Sequence, residues 1–209
     1  NYYFGYAEEG TTLISPVNTQ WHYEPTEAEK IQFDIQAAKD LLTSAGYIDI
    51  DGDGVREATA SSWAVQENFV VERTKLAYDM MIRREYPEEK DIAAYLDQKW
   101  AEIGIDITYR IMNEPALSTE AYAYAYDTMI WYWSADPDPN FMLFCQSQKS
   151  WKGWSDNMYY NPDYEKNYTN SVSALDPVER KTYTDNCQRI NYEDAASVSY
   201  THLRAHETV

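Results

Sequence analysis

From Asp34 onward the apolar positions fall first in a helical rhythm. Ala38, Leu41, Leu42 and Ala45 share one face of a segment that begins at Ile35. Asp34 stands where its carboxylate can accept the free N–H groups of a first helical turn, and Gly46 stands where a left-handed C-terminal cap belongs. From Lys75 the rhythm changes to a short apolar run, LAYDMMI, ending at Arg83 and Arg84, which reads as a strand. Pro87, Glu88 and Glu89 open a helix in which Ile92, Leu96 and Trp100 recur at helical spacing, and Gly104 stops it. IDITYRIM, from Ile105, alternates as a second strand. A shorter helix from about Pro115 leads to a third, DTMIWYW, from Asp127 to Trp133.

Strand, helix, strand, helix, strand predicts an α/β fold with a parallel or mixed sheet. Beyond the third strand the chain is loop-rich, with ADPDPN from Ala135 and KGWSDN from Lys152. Two helices follow. One has Asn161 as cap and Pro162 in its first turn, with Tyr164, Tyr168 and Val172 facing inward. The other starts at Asp176 and Pro177, with Glu179 at capping-box-like spacing, and carries Val178, Tyr183, Cys187 and Ile190. No internal repeat or low-complexity linker is visible.

Charge narrows the partners. Thirty-five acidic against 17 basic residues give a formal charge of -18, which opposes nucleic acid or an anionic membrane as a partner. Twenty tyrosines and seven tryptophans supply flat apolar faces with polar tips, suited both to cores and to ligand-contacting surfaces. Two cysteines, Cys145 and Cys187, make neither a disulfide framework nor a CxxC metal site, and can form one bridge or none. No apolar run is long enough to read as a bilayer span. The chain begins at Asn1, without methionine, and reads there as mid-sequence, so the missing signal peptide says nothing about compartment.

DIDGDGVRE, from Asp49 to Glu57, has metal-ligand spacing. Asp49, Asp51, Asp53 and Gly54 match the first half of an EF-hand loop. The bidentate glutamate which that loop requires is replaced by Ala60, and Glu57 is the nearby acid that could compensate. Calcium and an acidic turn with Gly52 and Gly54 at positive φ are both open readings, and no other cofactor is expected. His202 and His206, spaced as a metal pair on a helix, lie in VSYTHLRAHETV. From Val198 that stretch resembles the translation of a common transposase library adapter, so residues 198–209 are set aside as an artefact tail and 1–197 are taken as the natural portion. Only His22 then remains. No GxSxG, HExxH or phosphate loop is present, and catalysis is not expected.

Five segments, in order, carry a family resemblance: DIQAAKDLLTSAGYIDIDGDGVRE, IAAYLDQKWAEIGIDI, IWYWSADPDPNFM, YYNPDYEKN and DPVERKTYTDNCQRINYEDAA. Together they resemble the C-terminal half of the extracellular solute-binding proteins of family 5, the peptide-binding receptors of ABC importers. The resemblance implies part of a periplasmic-binding-protein type II-like fold, mainly one lobe with a mixed sheet flanked by helices and incomplete at both ends. In the whole receptor two lobes close on a ligand like a hinged trap. The implied partners are a peptide or small solute and the permease subunits. The implied location is the periplasm or the outer face of the membrane, with a lipid anchor outside this chain as the route to membrane association.

By the same resemblance Asp136 matches the aspartate that pairs with a bound peptide's N-terminal ammonium. A strand ends at Trp133, and ligands of open α/β sheets bind beyond the carboxyl ends of strands. Asp138, before Pro139, reads as a turn residue. Arg83 lies where dipeptide receptors carry an arginine for the ligand's carboxylate, a task that suits a planar guanidinium. Trp131, Trp133 and Trp154 are candidate lining residues, and alternation sends Trp131 and Trp133 to one face and Tyr132 to the other. Cys145 follows DPDPNFMLF as a family cysteine does, but the partner some members place shortly afterwards is missing. The competing class is a secreted carbohydrate-active protein, either a hydrolase using two carboxylates or an aromatic sugar-binding module. The helix-rich α/β order argues against a β-sandwich module of that class.

Overall fold

A computed structural model of the chain describes residues 7–8, 10–134, 136–151, 153–198 and 202–203. Its elements run β1 (Ala7–Glu8), α1 (Ile35–Ser44), β2 (Tyr47–Ile48), β3 (Glu57–Ala58), α2 (Trp63–Gln66), β4 (Ala77–Arg83) and α3 (Pro87–Glu102). They continue with β5 (Asp106–Met112), α4 (Glu114–Tyr122), β6 (Thr128–Met129), α5 (Asn140–Cys145), α6 (Pro162–Ser173), α7 (Pro177–Glu193) and β7 (His202–Leu203). Contacts divide the chain into two compact units: Ile31–Trp131, and Asn1–Lys30 together with Tyr132–Val209.

The central unit is built on a three-stranded parallel sheet in the order β5-β4-β6. Helices α3 and α4 both pack against its middle strand. β4 is the middle strand with α3 and α4 packed on it, and its last four residues, Met80 to Arg83, are all buried. Met80 and Ile82 join Ala93, Ile107 and Ile130 in one apolar core, with Ile92, Leu96 and Trp100 of α3 packed on it. Burying one such side chain contributes roughly 1.5–3 kcal/mol. Gly104 ends the helix region with φ at +87°, as a left-handed stop requires. The third strand is shorter than the apolar run suggests. Pairing stops at Met81 opposite Met129, and Trp131 to Trp133 lie beyond the ladder.

Helix α1 forms as its caps dictate, with Asp34 accepting the Gln36 and Ala37 backbone N–H groups and Gly46 at φ +87°. Its apolar face is not covered within the chain: no residue of α1 is buried, and Leu41 is 69% exposed. What fixes the helix end is polar. Arg56 donates to Thr43 Oγ1 at 2.9 Å, to the Tyr47 carbonyl at 2.6 Å and to the Ile103 carbonyl at 2.8 Å, joining α1, the β2–β3 hairpin and the end of α3.

The other unit is held by α6 against α7, with the early segment at Leu13, Ile14 and Trp21 packed on them. Tyr164, Tyr168, Cys187 and Ile190 are buried as expected. Val172 and Val178 are not, at 56% and 76% exposed, and Ser171 takes the inward position instead. Along a helix the residue at i+7 stays within about 20° of i, whereas i+8 drifts roughly 80° round, so Ser171 follows Tyr164 inward and Val172 does not. Gln188 ties the segments together, donating to the Trp21 carbonyl at 2.8 Å and accepting from Thr12 Oγ1 at 3.1 Å and the Tyr23 N–H at 3.2 Å. Both cysteines are buried free thiols, so no bridge joins them. β1 pairs antiparallel with β7, which places His202 on a short strand. Residues 199–201 and 204–209 of the tail, His206 among them, lie outside the described residues.

Candidate functional site

The two carboxylates after Trp133 have opposite surroundings. Asp138 accepts the Asn140 backbone N–H at 2.9 Å, closing the turn into α5, and takes two bonds from Arg180 Nη2 at 2.9 and 2.8 Å. Arg180 in turn lies over the Trp21 ring at 4.9 Å. The turn reading of Asp138 therefore has a concrete form: it is a structural clamp. Asp136 is exposed, and among the described residues it meets no hydrogen-bond or ion-pair partner. An exposed carboxylate with no internal partner is open to an incoming cation.

Trp133 is half-buried beside it. Its ring meets Phe141 edge-on with centroids 5.4 Å apart, and Trp154 at 5.8 Å; Phe141 and Trp154 are themselves 5.9 Å apart. The three rings thus form a closed triangle, with Trp154 49% exposed on its rim. The Trp133 indole N–H donates to Asp156 Oδ2 at 2.5 Å. Burial pushes the Asp156 carboxyl up to about 6, and the Trp133 hydrogen bond opposes that rise. Sequence reasoning missed Asp156. It sits in a plain loop 23 residues from its partner, and no local spacing announces the pair.

Arg83 and Trp131 belong to the central unit. The guanidinium is held inside the protein: Glu89 accepts the Arg83 backbone N–H at 2.8 Å, its Nε at 2.9 Å and its Nη2. Both side chains are 3% exposed. Tyr86 lies 4.0 Å and Trp131 5.0 Å from the guanidinium carbon, so Trp131 serves as a lid on the arginine. Arg83, expected as a carboxylate clamp, is thus held by Glu89, and Trp131, expected as a lining residue, packs over it, so neither stands open as Asp136 does. The sequence showed an arginine at a strand end but not that the first turn of α3 folds Glu89 back onto it.

The acidic loop Asp49 to Glu57 spans the β2–β3 hairpin. Asp49 accepts the Gly52 and Gly54 N–H groups at 2.7 and 3.0 Å, Asp51 that of Asp53 and Asp53 that of Val55. Gly52 and Gly54 have φ of +79° and +95°. Oxygens of Asp49, Asp51 and Glu57 lie within 4.8 Å of one another, but Asp53 turns to Lys75, which also reaches Asp51 at 3.3 Å. Buried Glu57 accepts the Ile50 N–H at 2.7 Å. His22, the remaining candidate base, is held between the Ile14 carbonyl at 2.6 Å and Glu24 at 3.0 Å.

Residues 1–154 match the family model described as bacterial extracellular solute-binding proteins, family 5 Middle. The chain belongs to that family. It is 23% identical over 186 residues to the oligopeptide-binding protein AppA of Bacillus subtilis, covering 88% of this chain and 31% of that protein. The AppA structure with a nonapeptide superposes with a TM-score of 0.78 at 18% identity, over 98% of this chain and 40% of the other. An oligopeptide-binding protein of Thermus thermophilus with a pentapeptide gives 0.76 at 16% identity, over 95% and 34%. NikZ of Campylobacter jejuni with Ni(L-His) gives 0.75 at 18%, over 97% and 38%. The fold is thus part of the periplasmic-binding-protein type II architecture, and the chain spans about a third of the length of these relatives.

Proposed function

We propose that this chain is the ligand-contacting C-terminal portion of an extracytoplasmic solute receptor that captures oligopeptides or similar small solutes and hands them to an ABC permease. The observation that carries the reading is the contrast between Asp138, spent on Arg180 and the α5 turn, and Asp136, exposed without a described partner three residues past Trp133, whose ring packs on Trp154. A peptide ammonium would pair with Asp136, and the rim indole of Trp154 offers a flat surface to its first side chain. Binding, not catalysis, fits these surroundings. Asp138, Glu89 and His22 are each committed to internal partners.

The test is made in the full-length receptor. Asp136→Ala should weaken binding of peptides with free N-termini by at least about tenfold, roughly 1.4 kcal/mol, while leaving the thermal midpoint in place. N-acetylated peptides should bind the unmodified receptor as weakly as free peptides bind the variant. Undiminished affinity of the variant would exclude the ammonium-pairing role. Stabilisation by oligosaccharides alone in a thermal-shift screen would move the receptor to the carbohydrate class.

A further inference from the structure

Asp156 is the residue of this neighbourhood that neither the family motifs nor the proposed function uses. Its carboxylate receives the Trp133 indole N–H at 2.5 Å from a loop whose two flanking residues are both locked. Ser155 Oγ accepts the Met158 N–H at 3.0 Å. Asn157 donates to Gln146 Oε1 at 3.1 Å and to the Ala196 carbonyl at 2.8 Å, and accepts from the Tyr159 N–H at 3.1 Å. A carboxylate on so fixed a base is a post, and the ring it holds is the hub of the triangle with Phe141 and Trp154.

We propose that Asp156 is a positioning residue for ligand binding: by gripping the Trp133 indole from a rigid loop it sets the aromatic triangle and the chain end that carries Asp136 three residues later. This rests on the reading of Trp133 and Asp136 as ligand-contacting. The argument for a carboxylate in particular is its cost. Asn would accept the same N–H without burying a charge, yet an acid stands there, pushed up to about 6 by burial. A charged acceptor holds an N–H more strongly than a neutral one, so the charge is repaid in orientation. The titratable group facing it from α5 is Cys145, whose thiol burial pushes up to about 12, which leaves it neutral. Lowering the pH through about 6 should therefore protonate Asp156 and loosen the ring.

Two measurements test this. In the 209-residue chain, tryptophan emission should show a transition near pH 6 that disappears in Asp156→Asn and in Trp133→Phe. A transition unchanged in both variants overturns the proposal. In the full-length receptor the probe is a mixed-sequence nonapeptide library with free N-termini. Asp156→Ala should bind it at least about fivefold more weakly at pH 8, and Asp156→Asn should be weakened at pH 8 by about as much as wild type loses between pH 7.5 and pH 5, with no further loss of its own over that range. Wild-type affinity in Asp156→Ala, with Asp136→Ala impaired, refutes positioning while leaving the binding site standing. If Asp136→Ala binds as wild type, the site reading fails, and the emission transition still decides whether Asp156 holds Trp133.

Discussion

Removing Glu89 should be among the most damaging single changes available in the central unit. Its carboxylate receives three N–H groups of Arg83, and both side chains are 3% exposed. Glu89→Ala leaves a guanidinium in a site closed by Tyr86 and Trp131, where water cannot replace the lost partner. Breaking a buried pair in this way costs roughly 3–5 kcal/mol. Glu114, 40% exposed and 3.8 Å from Arg83 Nη1, can swing in and soften the loss, which favours the lower end. At about 4–8 °C per kcal/mol for a domain of this size, the central unit's transition should fall by at least about 12 °C. Thermal unfolding of the 209-residue chain by circular dichroism reads it directly. The paired variant Arg83→Met with Glu89→Leu supplies the control, since an apolar pair of similar volume removes both charges and should recover most of the loss. A Glu89→Ala chain within about 1 kcal/mol of wild type, or a double variant no better than the single, would refute the buried-pair account.

Three further outcomes follow from the geometry. Gly46→Ala forces a side chain to φ +87° with its Cβ 2.7 Å from the Ser62 backbone nitrogen, so the urea midpoint should drop by the equivalent of about 2 kcal/mol or more; an unchanged midpoint would show that the hairpin shifts freely. Asp156 titrates at about 6 when folded against an ordinary 3.8, so the folded chain binds the extra proton. Its contribution is then fully present below about pH 4 and lost as pH rises through 6, by up to roughly 3 kcal/mol, and wild type minus Asp156→Asn isolates that slope in denaturation curves. The acidic loop takes Lys75 as its cation and uses its oxygens on its own N–H groups, so isothermal titration with millimolar calcium should give no binding heat, and a saturable isotherm would restore the EF-hand reading.

Much of the framework was legible because it is local. Asp34, Asn161 and Asp176 each cap the helix they precede, Gly46 and Gly104 take positive φ after the helices, and the apolar runs at Ala77–Arg83 and Asp106–Met112 pair in parallel. The site was legible only in part. Asp136 and Asp138 are alike in sequence, and what separates them is Arg180, 42 residues downstream of Asp138. The burial of Arg83 was hidden for a related reason: it depended on where α3 carried Glu89. DTMIWYW was read as a full strand because alternation is blind to the length of the neighbour that must pair with it. Asp156 gave no signal at all, because a single aspartate in a loop looks the same whether it faces water or an indole.

The division of the chain also has a consequence for its birth. The central unit is one continuous stretch, Ile31–Trp131, whereas the other is assembled from pieces on either side of it. Trp21 meets Gln188 across 167 residues, and Thr12 meets it across 176. Within this chain the Leu13–Trp21 stretch therefore finds its packing partners only once α6 and α7 are present, while the central unit is continuous and does not wait for them. A polypeptide stopped short of α7 should yield a protease-resistant core of the central unit and a digested remainder.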